Sequence, residues 1–262
     1  MKAKHKNIDV TIFKFQKWGW SLSSTAKKEK TCLLMFSGGY DTLLAPCYLV
    51  ENGYSVVLVT YDNGVEINLK AAEENAKRLM TLYGNKITFK GAKSIIAIWR
   101  ELFLLPYLLG REKFEYNLVP MEMMCLSCRT SMYIRSIAEC HLSKIKYIAE
   151  GARESQNYPE QQSPVMKVFQ KLCKNNSVKL ILPVYKIEGK EKLKEELMMR
   201  NIVPKTTEPY CTFAMPLYEY APLEQRVKEM RKFMVEYLMP KAQTIIDKLP
   251  DVVKARSTED LV

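Results

Sequence analysis

Thr-Cys-Leu-Leu-Met-Phe-Ser-Gly-Gly-Tyr-Asp-Thr, residues 31–42, is the stretch that decides the fold. A short apolar run ends in glycines, and an apolar pattern with helical spacing follows, so we predict a strand, a glycine turn and a helix. The glycines let the backbone turn tightly, and the helix directs unpaired N–H groups and the positive end of its dipole at the turn. Such a turn binds phosphate or pyrophosphate.

The spacing of the turn differs from a Walker A loop, because no Gly-Lys-Ser/Thr follows. It resembles the PP-loop of the ATP pyrophosphatase superfamily, whose signature is Ser-Gly-Gly-x-Asp-Ser/Thr. Members cleave ATP between its α- and β-phosphates, usually to adenylate a substrate. The resemblance implies that Ser37, Gly38, Gly39, Asp41 and Thr42 bind ATP with Mg²⁺, and that Asp41 takes part in catalysis. The alternative is a glycine turn with no ligand.

Length and charge set the outline of the protein. The 262 residues predict an N-terminal extension (1–29), a PP-loop domain (30–215) and a helical C-terminal extension (216–262). The net charge of +11 favours a polyanionic partner, with RNA the first candidate. No apolar run of about 18 residues occurs, so we expect no membrane span. The basic N-terminus lacks a following apolar segment, so we expect no signal peptide and a cytoplasmic location.

Periodicity predicts alternating strands and helices. This order favours an α/β fold, a doubly wound parallel sheet with flanking helices. The PP-loop resemblance implies that the sheet is of the HUP or Rossmann type. A loop is predicted at 111–122. The predicted strands are 8–15, 31–36, 54–61, 86–90, 146–150 and 178–183. The predicted helices are 41–51, 68–83, 94–109, 127–142, 164–175, 190–200 and 223–249, the last interrupted at Pro240.

In such a sheet the ligand lies beyond the carboxyl ends of the strands. The loops after three strands should therefore meet there, and together form the ATP site. We expect the backbone around Tyr61 to bind adenine, Asp62 to meet ribose or a substrate amine, Gly151 to allow close approach and Arg153 to reach phosphate. For Asp62 and Arg153 the alternatives are an ordinary turn residue and a solvated charge.

Three of the seven cysteines form a pattern of their own. The odd number argues against a disulfide framework. Cys125 and Cys128 form a C-x-x-C pair at the start of a predicted helix, where a helix N-terminus lowers the thiol pKa, and Cys211 follows far downstream. Three interpretations compete: a structural zinc site that needs a fourth ligand, a redox disulfide, and an iron–sulfur cluster with one open iron.

Together with the PP-loop, this pattern resembles the cluster-dependent tRNA sulfurtransferases, the two-thiocytidine, two-thiouridine and cluster-bearing four-thiouridine enzymes. The resemblance implies that Cys125, Cys128 and Cys211 bind a 4Fe–4S cluster and that Cys211 is essential for catalysis. It implies tRNA, ATP and a sulfur donor as partners, and often a homodimer. One departure is Gly151-Ala152-Arg153, where thiolating relatives often show Gly-His-x-x-Asp-Asp.

That Gly-x-Arg arrangement instead looks like the phosphoadenylylsulfate reductase branch. Two further possibilities are an amidating PP-loop enzyme with structural zinc, similar to the deazapurine nitrile synthases, and a non-catalytic nucleotide or redox sensor. Arg129 is expected to be a solvated helix residue, or to neutralise charge near the cluster. The helix at 223–249 is expected either to pair two subunits or to close the core.

Overall fold

The computed structural model describes residues 30–203, 210–211 and 221–256. The strands are β1 (Lys30–Met35), β2 (Tyr54–Asp62), β3 (Glu66–Ile67), β4 (Ile87–Ser94), β5 (Tyr147–Glu150), β6 (Lys179–Ile181) and β7 (Tyr210–Cys211). The helices are α1 (Tyr40–Glu51), α2 (Leu69–Tyr83), α3 (Ile96–Trp99), α4 (Leu105–Leu108), α5 (Pro120–Leu142), α6 (Ser163–Asn175), α7 (Lys190–Met198), α8 (Leu223–Phe233) and α9 (Met239–Arg256). Wide π-helical turns join α3 to α4 and α8 to α9.

A five-stranded parallel sheet in the order β4-β2-β1-β5-β6 forms the centre of the molecule. This confirms the predicted doubly wound α/β fold. The chain leaves β1 toward β2 on one side and returns to pair β5 on the other, so the order reverses at β1. A crevice opens at such a reversal, beyond the carboxyl ends of the two strands. The glycine turn after β1 and Gly151 after β5 therefore meet there.

Alternation along β1 divides the core between the two faces of the sheet. Leu33 and Met35 face a layer that contains α5, α6 and the C-terminal helices. Cys32, Leu34 and Phe36 face a second layer, built from α1, α2 and α7. Burial on both faces explains why β1 reads as a continuous apolar run.

The C-terminal helices complete the first of these layers. Phe233, Met234 and Leu238 are fully buried in the same apolar cluster as residues of α5. Of the two roles expected for this segment, the structure therefore shows that it closes the core. The π-helical turn Met234–Leu238 interrupts the α-helix shortly before Pro240, whose missing N–H removes a bond to the preceding turn. The interruption was expected at Pro240 itself and lies just before it, and α9 then continues to Arg256.

Two other expectations were wrong in detail. Helix α5 begins at Pro120, not at 127, so the predicted loop at 111–122 ends earlier. Proline fits the first turn of a helix, where its missing N–H has no partner to lose, and Glu122 accepts from the backbone N–H of Val119. The two-residue ladder of β3 with β7 was not predicted. The predicted strand at 8–15 lies outside the described residues.

None of the helices in the described part of the chain combines the length and apolarity that crossing a membrane requires.

Candidate functional site

The glycine turn after β1 packs directly on α2. Gly38 has φ +82°, and a Cβ there would lie 2.7 Å from Cα of Ala72. Buried Asn75, one turn further along α2, donates from Nδ2 to the carbonyl of Gly38 at 2.9 Å. Glycine is therefore required at position 38 for both conformation and space.

The hydroxyls of the loop hold its shape. Ser37 Oγ and Thr42 Oγ1 lie 3.1 Å apart, and Thr42 Oγ1 donates to the carbonyl of Gly39 at 3.1 Å. The N–H of Gly39 donates to Ser37 Oγ at 3.3 Å. A Cβ on Gly151 would lie 2.8 Å from Thr42 Cγ2, so β5 approaches the loop as closely as glycine permits.

A cavity of about 260 Å³ opens beside this loop. Five residues that the sequence predicted for ATP contribute to its wall: Ser37, Asp41, Thr42, Tyr61 and Gly151. The remaining wall consists of Met35, Phe36, Thr60, Leu69, Met132, Glu150, Ala152, Gln156 and Gln161. The structure thus brings the turn after β1, the end of β2 and the end of β5 around one space, beside the N-terminus of α1.

Arg153 lies behind Asp41 instead of lining the cavity. Its Nε donates to Asp41 Oδ1 at 2.8 Å, and Gln156 Nε2 donates to Asp41 Oδ2 at 2.8 Å. The Arg153 side chain is only 7% exposed and also donates to Ser155 Oγ. The solvated-charge alternative is therefore wrong for Arg153. Each Asp41 oxygen keeps one lone-pair direction, so the carboxylate can still face a ligand.

Asp62 occupies a turn at the end of β2. Its Oδ1 accepts from the N–H of Gly64 at 2.7 Å, which is the geometry of the turn-residue alternative. Asp62, Gly38 and Gly39 do not line the cavity. The phenol of Tyr61 contacts Ser136 of α5 at 2.7 Å, and burial raises its pKa.

Two of the predicted cysteine ligands meet at the next residue, Asn63. Its Nδ2 donates to Cys128 Sγ at 3.5 Å and to Cys211 Sγ at 3.6 Å, and its Oδ1 accepts from the N–H of Val65 at 3.0 Å. Asn63 is 4% exposed. Because both sulfurs contact one nitrogen, Cys128 and Cys211 are close neighbours despite their separation in sequence.

The third cysteine stands one turn away on α5. Residues at i and i+3 of a helix are neighbours, so Cys125 and Cys128 share one face of α5. The pairing of Cys211 with Glu66 in the β3–β7 ladder fixes the backbone of Cys211 opposite them. None of the three forms a disulfide bond within the described part of the chain.

We expected the C-x-x-C pair at the start of a helix, but the structure places it further along α5. Cys125 follows Pro120 by five residues and is past the first turn, so the helix dipole contributes little. Burial, Glu160, Cys211 and Glu122 raise its pKa to about 12. In this structure Cys125 is therefore a neutral thiol, and a bound metal group would have to displace its proton.

The donor set fits a cluster better than a single ion. Among the described residues no group of three or more His, Cys, Asp and Glu side chains is arranged to hold one metal ion. A zinc ion needs thiolates about 2.3 Å from a common centre, which a grouping around the Asn63 amide does not provide. A four-iron cluster takes Cys thiolates as ligands and is wider than one ion. Cys125, Cys128 and Cys211, of which the last two contact the Asn63 amide, are suitable donors for it.

A buried charge network connects the thiols to the cavity. Arg129, directly after Cys128, forms an ion pair with Glu150 of the cavity wall at 2.6 Å and donates to the carbonyl of Glu160 at 2.8 Å. Tyr133 donates to the second oxygen of Glu150. Burial alone would lower the pKa of Arg129, but Glu150, Tyr133 and Glu160 raise it, so the charge persists. The solvated-residue expectation for Arg129 was wrong.

Sequence reasoning missed several residues of the two sites: Thr60, Asn63, Asn75, Met132, Glu150, Gln156 and Gln161. A signal for Asn63 was available. Residues i and i+2 of a strand share a face, and both Tyr61 and Asn63 contact α5. No local pattern marks Asn75, whose partner Gly38 is remote in sequence, or Gln161, whose side chain bonds Arg153 and Gln156 within an irregular segment.

Comparison with known proteins supports the fold. No protein-family model and no curated protein matches the sequence. A solved 4-thiouridine synthetase–RNA complex with bound ATP aligns with 82% of this chain and 53% of its own length, at 15% identity and a TM-score of 0.53. NMN synthetase from Francisella tularensis aligns with 85% of each chain, at 11% identity and a TM-score of 0.51.

A predicted subunit of tRNA methyltransferase from Methanocaldococcus jannaschii aligns with 70% of this chain and 96% of its own, at 15% identity and a TM-score of 0.41. At these identities the likeness of the first two structures concerns the fold alone. The chain shares their α/β fold, and its glycine loop follows β1, where the strand order of the sheet reverses.

Proposed function

We propose that this protein is an ATP-dependent sulfurtransferase that adenylates a carbonyl oxygen of its substrate, a tRNA base, and replaces that oxygen with sulfur. The observation that carries the proposal is the contact of Asn63 with both Cys128 and Cys211. Asn63 stands two residues beyond Tyr61, which lines the cavity beside the PP-loop. A nucleotide site and a thiol site therefore share the end of one strand.

The PP-loop supplies the groups that bind the triphosphate of ATP. The N–H groups at the start of α1 and the Ser37 and Thr42 hydroxyls face the cavity, and the helix dipole favours negative charge there. Asp41 is the carboxylate available to Mg²⁺, through the oxygen directions that Arg153 and Gln156 leave open. Adenine would lie near Tyr61, which lines the cavity.

The same groups assist adenylation. The substrate oxygen attacks the α-phosphate, a P–O bond to the β-phosphate breaks, and pyrophosphate departs with the electron pair. Amides that are fixed before the reaction stabilise this developing charge, because they need not reorganise. Arg153 offsets the negative charge of Asp41 beside the phosphates.

Cys125, Cys128 and Cys211 would hold a 4Fe–4S cluster, which would present a sulfide received from a sulfur donor to the carbon activated by adenylation. AMP then leaves with the original oxygen. Asn63 orients two of the sulfurs, and N–H groups directed at cysteine sulfur are one of the levers that set cluster potentials. Arg129 supplies a fixed positive charge between the thiol site and the cavity.

The decisive experiment is anaerobic purification and reconstitution, with quantification of iron and sulfide. It is followed by assay of pyrophosphate release and of sulfur incorporation into unmodified tRNA. We expect four irons per chain and tRNA-dependent pyrophosphate release. Cys211→Ala should abolish sulfur incorporation and retain ATP binding, while Cys140→Ala, a buried cysteine at the far end of α5, should retain both.

Different outcomes would identify another function. Zinc alone with ammonia-dependent turnover would indicate an amidating enzyme. A cluster with cleavage of an adenylylated sulfur compound would indicate a reductase. Absence of metal and of pyrophosphate release would indicate a nucleotide or redox sensor. Each of these results contradicts sulfur transfer.

A further inference from the structure

A second cavity, of about 650 Å³, lies between α6 and the C-terminal helices. One wall consists of residues of α6, and the other of residues from α8, the π-helical turn and α9. We call this the α6 groove. Its lining residues are Pro164, Lys167, Val168, Lys171, Leu172, Asn175, Arg231, Val235, Met239, Pro240 and Gln243.

The charge of the α6 groove has one sign. Lys167 and Lys171 stand one turn apart on α6, and Arg231 lies on the opposite wall. All three side chains are exposed, and none forms an ion pair within the described part of the chain. The described residues that line the groove include no acid. Like charges one helical turn apart repel each other, so the arrangement favours an anionic occupant.

Several cations elsewhere on the surface are compensated. Arg200 forms ion pairs with Glu51 and Glu196, and Lys241 with Glu112. The uncompensated cations of the α6 groove contrast with these pairs. The floor is aliphatic, and Val235 is 47% exposed there. A suitable occupant carries regularly spaced negative charge together with uncharged surface, as ribose and base faces provide.

One end of the α6 groove lies close to the nucleotide cavity along the chain. Gln161 lines that cavity and Pro164 lines the groove, with only two residues between them. From Pro164 to Asn175, α6 extends roughly 17 Å at about 1.5 Å per residue, enough to follow several phosphates. A strand lying along the groove would have one end beside the PP-loop.

We propose that the α6 groove binds the sugar–phosphate backbone of the RNA substrate and directs its target base to the nucleotide cavity. Lys167, Lys171 and Arg231 neutralise phosphates. This inference rests on the proposed function, because a groove that ends near the nucleotide cavity can position the substrate only if the reaction occurs on a nucleic acid. An acidic helix of a partner protein would match the positive charge of the groove. Binding such a helix would not explain why one end of the groove lies near the nucleotide cavity.

The test measures binding of an unmodified tRNA transcript at several salt concentrations, for the wild-type protein and two double variants. Lys167→Glu/Lys171→Glu reverses the charge of one groove wall. Lys146→Glu/Lys179→Glu is the matched control, with the same charge change at exposed lysines near the amino ends of β5 and β6 that do not line the groove. Arg231→Ala tests the other wall.

We expect the groove variant to bind tRNA at least about tenfold more weakly than the control variant at physiological salt. The slope of log K against log salt should fall by about 0.7 for each phosphate that the groove no longer neutralises. ATP binding and thermal stability should match the control. UV cross-links to wild-type protein should fall on α6 and α8.

Equal tRNA binding by the groove and control variants would overturn the proposal that the α6 groove binds RNA, and would leave the proposed function intact. Failure of the wild-type protein to bind tRNA would overturn the RNA substrate itself, and the groove with it. Loss of binding to an acidic helical peptide in the groove variant, with tRNA binding retained, would assign the groove to a protein partner and overturn the proposal.

Discussion

Arg153 and Asp41 form an ion pair across the nucleotide cavity wall, with 2.8 Å between Nε and Oδ1. The pair links the loop after β5 to the first turn of α1, and both residues were predicted from sequence to contact ATP directly. In the structure Arg153 instead holds the Asp41 carboxylate in position. The role of Arg153 is therefore to hold Asp41 and to offset its charge.

Arg153→Ala should weaken ATP binding by about tenfold, a cost of about 1.4 kcal/mol, since an uncompensated Asp41 carboxylate would then face the phosphates. Isothermal titration with Mg-ATP measures this. Arg153→Lys should retain part of the affinity, because it keeps a positive charge beside Asp41. Wild-type affinity in Arg153→Ala would show that the pair has no role in nucleotide binding.

Gly38→Ala should disrupt the PP-loop. The substitution places a Cβ 2.7 Å from the backbone of Ala72 at a φ of +82°, and we expect loss of ATP affinity of at least tenfold, or about 1.4 kcal/mol or more. Gly53→Ala is the matched control, since Gly53 has φ +80° but no atom within 4 Å of the added carbon. It should lower stability by about 1 kcal/mol from backbone strain alone and leave ATP binding unchanged. Equal ATP affinity in the two variants would contradict the close packing of the loop.

Features of the fold and site were predictable from the sequence where the residues that determine them are neighbours in the chain. The glycine turn was predictable because its signature, the strand before it and the helix after it are all local. The start of α5 at Pro120 was also encoded locally, by a proline followed two residues later by Glu122, and was overlooked. The burial of Arg129 was not predictable, since Glu150 and the other partners that compensate its charge come from distant parts of the chain.

The same reasoning applies to Cys211. Its spacing from Cys125 and Cys128 suggested a common site, but a two-residue ladder with Glu66 and Ile67 is too short to leave a periodic pattern. In the sequence, Asn63 is the middle residue of Asp62-Asn63-Gly64, a typical turn signal, and nothing there indicates that its amide contacts both sulfurs. Only the alternation along β2, with Tyr61 and Asn63 on one face, distinguishes it from Asp62.

Asn63→Leu should retain ATP binding and lose much of the reconstituted iron and sulfide. Leucine has a similar size but no N–H to donate to Cys128 and Cys211, and removing such outer partners typically costs about 10–100-fold in metal affinity. Iron and sulfide analysis, with an ATP titration of the same preparation, checks both parts. Asn52→Leu is the control, because Asn52 lies at the exposed end of α1, where its side-chain amide donates to the carbonyl of Tyr48. Full iron content in Asn63→Leu would remove Asn63 from the thiol site.

Stability should fall as pH rises above about 9. Burial raises the pKa of Cys47 to about 11 and that of Cys140 to about 12, from an ordinary value of 9.0. As pH rises, the unfolded chain loses these protons first, so the native state binds more protons and the unfolding free energy decreases. The slope is up to about 1.4 kcal/mol per pH unit for each thiol. Denaturant unfolding under reducing conditions, from neutral pH to above 10, measures it. Cys47→Ala should flatten the profile, and an unchanged slope in that variant would contradict the assignment.

The buried ion pair of Glu122 with Arg226 connects the helix of the C-x-x-C pair to the C-terminal helices. Arg226 Nε lies 2.7 Å from Glu122 Oε1, and the two side chains are 7% and 0% exposed. Arg226→Met should destabilise the protein by about 3–5 kcal/mol, because it leaves a buried carboxylate without its partner. Glu122→Leu/Arg226→Met should recover most of that loss, since two apolar side chains need no compensation. Denaturant unfolding of the three proteins gives the comparison. If the single and double variants were equally unstable, the loss would come from packing of the Arg226 stem and not from the isolated charge.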